Sequence, residues 1–355
     1  MKLKRILALM LGAVMVLSLV ACASTPKTEE TTAPATEATA EATTEATTEA
    51  TTEATTEAPK SSTKMTMGTG GSAGTYYAYG NILSRYMKDK AGVDVTVVST
   101  DGSKANIQGI DAGDYQLGTV QSDVMAYAWG GTRSFEGAAV KSFRVVAGLY
   151  AEAVQLVTMD PAIKSVKDLA GKTVSIGAPG SGVYFNACDV LAAAGLSESD
   201  INAQYQSFGD STDALKDGKI DAAFIVAGAP TPAITELCTT NSAYLVPIDG
   251  DVAEAMMASC PFYTVYAIPA GTYPGQDEDV NTVTVKATLI VSEKASEKDV
   301  YNLTKAIFDN MDAIAKENGK GAELSIENAT SGMTAPFHAG AAKYFAEKGV
   351  TVEVG

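Results

Sequence analysis

Met65-Thr66-Met67 runs directly into Gly68-Thr69-Gly70-Gly71-Ser72-Ala73-Gly74-Thr75-Tyr76-Tyr77, and the same arrangement returns where Thr173 to Ile176 meets Gly177-Ala178-Pro179-Gly180-Ser181-Gly182-Val183. Each is a short strand-like run, a glycine-rich turn and then a helical pattern, Thr75 to Lys90 in the first case and Tyr184 to Ala194 in the second. Successive backbone N–H groups at the start of a helix can hold an anion, helped by the helix dipole. The same turn also serves wherever a strand and a helix need small residues between them. One such loop decides little. Two, widely separated in the chain, point to two α/β lobes, each with a binding edge where its strands end.

Working outward, Val93 to Ser99 and Tyr115 to Val120 read as further strands, with Ser103 to Ala112 as the helix between them. After the second loop come strand patterns at Ala203 to Phe208 and Ala222 to Val226, with a helix at Ser211 to Lys216. Strand–helix–strand order at this spacing implies parallel sheets. Phe143 to Met159 and Tyr263 to Ile290 hold extended apolar stretches long enough to cross between lobes, which places hinges near 150–160 and 260–270. A long helical pattern from Lys298 to Lys316 would return to the first lobe. The expected plan is a two-lobed α/β chain with a hinge and an interlobe cleft: 64–155 and 266–355 form the first lobe, 156–265 the second.

The N-terminal part reads differently. Lys2, Lys4 and Arg5 precede an apolar run from Ile6 to Val20, roughly 15 residues and short of the ~20 needed to span a bilayer. It ends in Leu19-Val20-Ala21-Cys22, which resembles the bacterial lipobox, a signal in which the cysteine is acylated and becomes the mature N-terminus. Residues 1–21 are expected to be a lipoprotein signal peptide, and Cys22 the lipidation site of an extracytoplasmic protein anchored to the outer face of the cytoplasmic membrane. From Thr25 to Thr63 the chain is almost wholly Thr, Glu, Ala, Ser, Pro and Lys. Nothing large and apolar offsets the entropy of ordering there, so 22–63 reads as a tether with a reach of roughly 35 Å.

Charge narrows the partners. The formal net charge is −16; loss of the three cations in residues 1–21 makes it −19, and the tether's eight Glu and two Lys leave −13 for the rest. No basic face suits nucleic acid or anionic lipid. Cys188, Cys238 and Cys260 remain after Cys22, an odd number without metal-site spacing. A Cys238–Cys260 bridge is open, but free buried thiols are expected, and no metal or cofactor.

Two enzyme patterns fall within the first loop. Gly70-x-Ser72-x-Gly74 matches a nucleophile elbow, with the single histidine, His338, in hydrolase order. An elbow needs an oxyanion loop upstream, where this chain has only its tether, so His338 reads as structural. Gly68-x-Gly70-x-x-Ala73 with Asp94 imitates a dinucleotide fingerprint, an unsuitable one for a secreted chain. No catalysis is expected.

The stretches GTGGSAGTYYAYG, VTVVSTDGSKANIQGI, LGTVQSD, IKSVKDLAGKTVSIGAPGSG, ALKDGKIDAAFIVAGAPTPAI, VPIDG and AIPAGTYPGQ together resemble the TAXI family of TRAP-transporter solute receptors, in order from about Met65 to Gly349. The resemblance implies the type II periplasmic-binding fold. It also implies capture of an acidic organic solute, such as glutamate, 2-oxoglutarate or a related carboxylate, for an ion-driven membrane permease. Ala78 departs from the proline usual after the tyrosine pair. Carried over by motif, the ligand site comprises Gly71, Ser72, Thr75 and Tyr76, then Ser103 and Asn106, then Gln121 and Ser122. The second lobe adds Gly180, Ser181, Gly182, Val183 and Asn186. These hydroxyls, amides and backbone donors suit carboxylate oxygens. Asp123 is open between an ammonium partner and a helix cap, and Trp129 reads as packing.

Beyond the signal segment the arginines are Arg85, Arg133 and Arg144. Arg85 and Arg133 are expected on the surface. Arg144 is the one candidate clamp, and the second lobe has none. A carboxylate there is therefore expected on backbone N–H groups at Gly180 to Val183 and the Ser181 hydroxyl. The chain is expected to act as a monomer. A surface lipoprotein that uses the same clamp for sensing or adhesion is the alternative to transport.

Overall fold

A computed structural model describes residues 63–355. The expected signal segment, the lipidation at Cys22 and the tether lie outside the described residues.

The chain opens with β1 (Thr63–Gly68), α1 (Thr75–Ala91), β2 (Val93–Val98), α2 (Ser103–Ala112), β3 (Leu117–Gln121) and α3 (Ser122–Gly130). Both neighbours of β1, β2 and β3, run parallel to it. On α1, Tyr76, Tyr79, Leu83 and Met87 are buried at intervals of three and four, so one helical face meets the core. The helix stops at Gly92, whose φ of 69° lies in the left-handed region and whose N–H bonds back to Lys88 and Met87.

After β4 (Phe143–Thr158) the pattern repeats with β5 (Thr173–Ser175), α4 (Val183–Ala193), β6 (Asn202–Gln204), α5 (Phe208–Lys216) and β7 (Ala222–Ala227). Again the first strand, β5, lies between the next two and parallel to both. Each lobe thus has a central strand on either side of which the chain order reverses. The crevice at the carboxyl end of such a strand is where open α/β sheets bind ligands. The second lobe continues with α6 (Pro232–Thr240), β8 (Tyr244–Val246), α7 (Gly250–Ser259) and β9 (Thr264–Ile268), and β10 (Val280–Ser292) leads back.

β4 and β10 are antiparallel neighbours and join the lobes in one sheet of order β2-β1-β3-β10-β4-β7-β5-β6. β4 is buried along nearly its whole length, as its largely apolar sequence leads one to expect. Its residues change core on the way. Val145 to Tyr150 belong to the first lobe's cluster, whereas Val154 and Leu156 pack on one face of the second lobe's sheet and Ala153 and Val157 on the other. β10 changes between Val285 and Ala287, and its pairing with β4 slips between Lys286 and Thr288. The crossing expected near 260–270 therefore sits some residues later. The segment at 264–268 is β9, which folds back on β10 as a hairpin; an apolar run alone does not distinguish the two arms.

The return to the first lobe is α8 (Glu297–Phe308), α9 (Met311–Glu317), α10 (Ile326–Thr330) and α11 (Ala339–Glu347). One helix was expected over Lys298 to Lys316, but it breaks at Asp309-Asn310. The Asn310 amide donates to Ala306 O (2.8 Å), and the Asp309 carboxylate accepts from Tyr344 (2.8 Å) and Lys348 (3.2 Å). Local side-chain bonds of this kind compete with continued helix. His338 caps α11: Nδ1 accepts the Gly340 N–H and Nε2 lies 3.1 Å from Ala295 O, so Nε2 carries the proton. Trp129 packs edge-on against Phe143 with ring centroids 5.5 Å apart. Cys188, Cys238 and Cys260 are free thiols. Among the described residues no helix is long and apolar enough to cross a membrane.

Candidate functional site

A cavity of about 70 Å³ lies between the lobes, walled by the turns at the carboxyl ends of both sets of strands. The β1–α1 turn contributes Gly70, Gly71, Gly74, Thr75 and Tyr76; the β2–α2 turn contributes Thr100, Asp101, Gly102 and Ser103; Gln121 ends β3. Facing them are Ala178, Ser181, Gly182 and Val183 from the β5–α4 turn, Gln206, Ser207 and Phe208 from the β6–α5 turn, and Val226 and Ala227 from β7. Glu152, on the crossing strand β4, completes the wall.

Of the residues expected from the sequence, Gly71, Thr75, Tyr76, Ser103, Gln121, Ser181, Gly182 and Val183 line this cavity. Ser72 is exposed on its turn. Asn106 is fully buried and braces the loops, its amide donating to Thr69 O (2.6 Å) and Thr119 O (2.8 Å) while its oxygen accepts from Thr100 (2.7 Å). The Ser122 hydroxyl accepts the Lys286 N–H. The Gly180 carbonyl accepts the Ala105 N–H from the other lobe at 3.1 Å.

Asn186 is the middle of a buried relay across the lobes. Its amide donates to Asp123 Oδ2 (2.9 Å) and Tyr263 Oη (2.8 Å), and its oxygen accepts from Gln121 Nε2 (2.9 Å). The carboxylate at one end fixes which way both amides point. Burial, opposed by these hydrogen bonds, pushes the Asp123 carboxyl up to about 6. Asp123 therefore organises the lobe interface and is not part of the cavity wall.

Further bonds cross the cleft. Thr75 donates its hydroxyl to Gly228 O (2.8 Å), and Ala233 N–H bonds to Ala73 O (3.1 Å). Arg133 makes two bonds to Asp189 on α4 (2.6 and 3.0 Å), with its guanidinium over the rings of Tyr127 (5.0 Å) and Phe185 (5.6 Å). Arg133 is exposed, as expected, and its side chain also makes this lobe-to-lobe contact. Arg144 pairs with Glu293 (3.1 Å) and bonds Lys141 O, away from the cavity, so it is no ligand clamp. The conformation is closed.

At the β5–α4 turn the donors are backbone. The Ser181 hydroxyl donates to Ala178 O (2.7 Å), as does its N–H (3.0 Å), so neither is free for a ligand. Gly182 and Val183 open α4, where the first N–H groups have no partner within the helix. Glu152 was not anticipated. It is 1% exposed, and Tyr76 Oη donates to its Oε2 at 2.6 Å. Burial first, opposed by the Tyr76 bond, holds its carboxyl well above the usual carboxylate range. Burial likewise keeps the Tyr76 phenol protonated. The signal was present as the one acid, between Ala151 and Ala153, in the long and largely apolar stretch from Phe143 to Met159.

A model of the NMT1-like family matches residues 67–349, the lobes and the cleft together. The chain belongs to the NMT1-like family. Among solved structures it is similar to a protein from Bordetella bronchiseptica RB50, at 20% identity over 80% of this chain and 88% of that one, with a TM-score of 0.50. It is also similar to the alkanesulfonate-binding protein SsuA from Xanthomonas axonopodis pv. citri bound to MOPS (17% identity, 80% and 90% covered, TM-score 0.46). A third is a putative L-cystine ABC transporter from Listeria monocytogenes (18%, 74% and 98%, 0.47). At 20% identity the likeness to the Bordetella protein is one of fold. This family member has a two-lobed α/β architecture.

Proposed function

We propose that the chain is an extracytoplasmic solute receptor of a TRAP-type secondary transporter of the TAXI group. It captures a small carboxylate-bearing organic solute between its lobes and delivers it unchanged to the membrane permease. Cys22 carries the lipid anchor, and the lobes divide where β4 and β10 change core. The observation that carries this reading is a cavity walled by both lobes and backed by the crossing strand. A ligand held there touches both lobes and so favours the closed conformer by its differential affinity. Its carboxylate lies at the β5–α4 turn, against the N–H groups of Gly182 and Val183. Gly71, Thr75, Ser103 and Gln121 hold the remainder.

The test is a thermal-shift screen of the full chain against amino acids, 2-oxoacids and dicarboxylates. A ligand at ~100 Kd adds roughly 2.7 kcal/mol of stability. The same ligand should reduce the radius of gyration in small-angle scattering. A complete screen without a stabilising compound, or a hit that leaves the radius unchanged, would refute the receptor reading.

A further inference from the structure

We propose that Glu152 selects the ligand by charge: it receives the ammonium group of a small, net-neutral ammonium carboxylate. This rests on the receptor reading and narrows it. Among the described residues no lysine, arginine or histidine lines the cavity, and its carboxyl groups are Glu152 and the exposed Asp101. Glu152 has one oxygen committed to Tyr76, while its Oε1 takes no protein hydrogen bond among the described residues. Gln206, also on the wall, has a buried side-chain oxygen with no partner. These two acceptors on the wall fit a ligand that brings donors to that side of the cavity.

The groups around Glu152 bear this out. Tyr76 on α1 and Tyr150 beside it on β4 are protonated phenols, and Asp123 on α3 adds negative charge. The cation whose field reaches it, Lys320, is already paired with Glu323 at 2.6 Å, and Glu323 also accepts the Ala151 N–H at 2.6 Å. A buried carboxylate without a partner is costly, and an ammonium group removes that cost. An acidic amino acid or a dicarboxylate would add a second anion where no cation meets it.

Isothermal calorimetry on the full chain, with glycine, alanine and serine each against its 2-oxo or 2-hydroxy acid, tests the assignment. At least one amino acid should bind tenfold or more tightly than its deaminated counterpart, and Glu152→Gln should abolish that preference. Should Glu152→Gln fail to fold, Tyr76→Phe, which removes the phenol that orients the carboxyl, should narrow it instead. At pH 5.5 binding should release protons, read from enthalpies in two buffers of different ionisation heat, because the carboxyl ionises as it pairs. Dicarboxylates or 2-oxoacids that bind equally well and still close the lobes would overturn the ammonium assignment and leave the receptor standing. An amino-acid preference that survives Glu152→Gln, or proton uptake on binding, would overturn it too. If no compound of any class binds, both readings fall.

Discussion

Gly182→Ala should uncouple lobe closure from lobe folding. The Gly182 backbone sits at φ −76° and ψ −22°, which alanine adopts without strain, so the open protein tolerates the change. In the closed form an added Cβ would lie 1.4 Å from Gln121 Oε1, 2.5 Å from its Cδ and 2.9 Å from Val124 Cγ2. Both neighbours belong to the other lobe. Gln121 is 2% exposed and its amide is committed to Asn186, so moving aside breaks the relay and leaves two buried polar groups unpaired. That costs about 1–3 kcal/mol, and the crowding at Val124 about as much again. A penalty on the order of 2–5 kcal/mol against the closed state weakens ligand binding by roughly thirty- to several-thousand-fold. Calorimetry reads the affinity, and small-angle scattering reads the failure of the variant to contract with ligand. If Gly182→Ala binds as tightly as wild type and contracts equally, then closure does not bring Gln121 against Gly182 and the clamp described above is wrong.

Other outcomes follow from the same contacts. Arg133→Ala removes a two-bond ion pair across the lobes that is partly open to solvent; it should weaken ligand affinity less than tenfold, and wild-type affinity should be mildly salt-sensitive where the variant's is not. Asp123, pushed up to about 6, favours folding fully below its unfolded value near 3.8, and this contribution fades as pH rises through 6. Glu152 has the same sign over a window that begins near 4.5 and extends upward, so the ligand-free protein should melt at lower temperature at pH 8 than at pH 5, with Glu152→Gln flattening the profile. A wild-type melting point that rises across this interval would contradict both. Cys22→Ala should release the protein from the membrane in cell fractionation, and retention of processed variant would argue against the lipid anchor.

The alternation of short strands and helices, and the two glycine-rich turns, were legible because each has a local signature: a period of two or 3.6, or a run of residues without side chains. The crossing strand β4 was legible as a long buried run. Glu152 within it was not, because nothing in Ala151-Glu152-Ala153 states which face of the strand meets a cleft. The turns at Thr100-Asp101 and Gln206-Ser207 carry no glycine signature strong enough to single them out, though their position after parallel strands on the same edge would have placed them. Asn186 was expected at the ligand and instead bonds Gln121 and Asp123. A buried amide serves either purpose, and only the distance between lobes decides. For Gly182 the sequence suggests a helix start open to an anion; the close approach of Gln121 adds a second reason for glycine, visible only once residues 61 positions apart are brought together.

These cross-lobe contacts bear on how a ligand can control the clamp. Each polar bond between the lobes exchanges for water in an open form and is worth only about 0.5–1.5 kcal/mol net. Their sum alone does not force closure, and moving an equilibrium from 1:99 to 99:1 takes about 5.5 kcal/mol of differential affinity. Glu152 acts on the other side of that balance. In the closed conformation Glu152 is 1% exposed and its Oε1 takes no hydrogen bond from the described residues; in an open cleft the same group would meet water. Closing on an empty site thus costs the desolvation of an acid, a cost that pairing with an ammonium group offsets. Placing that acid on β4, where the strand passes from one core to the other, puts the charge check on a strand both lobes share. Under the proposed receptor reading, closing while empty would present an unloaded surface to the permease, and the buried acid at the crossing works against that state.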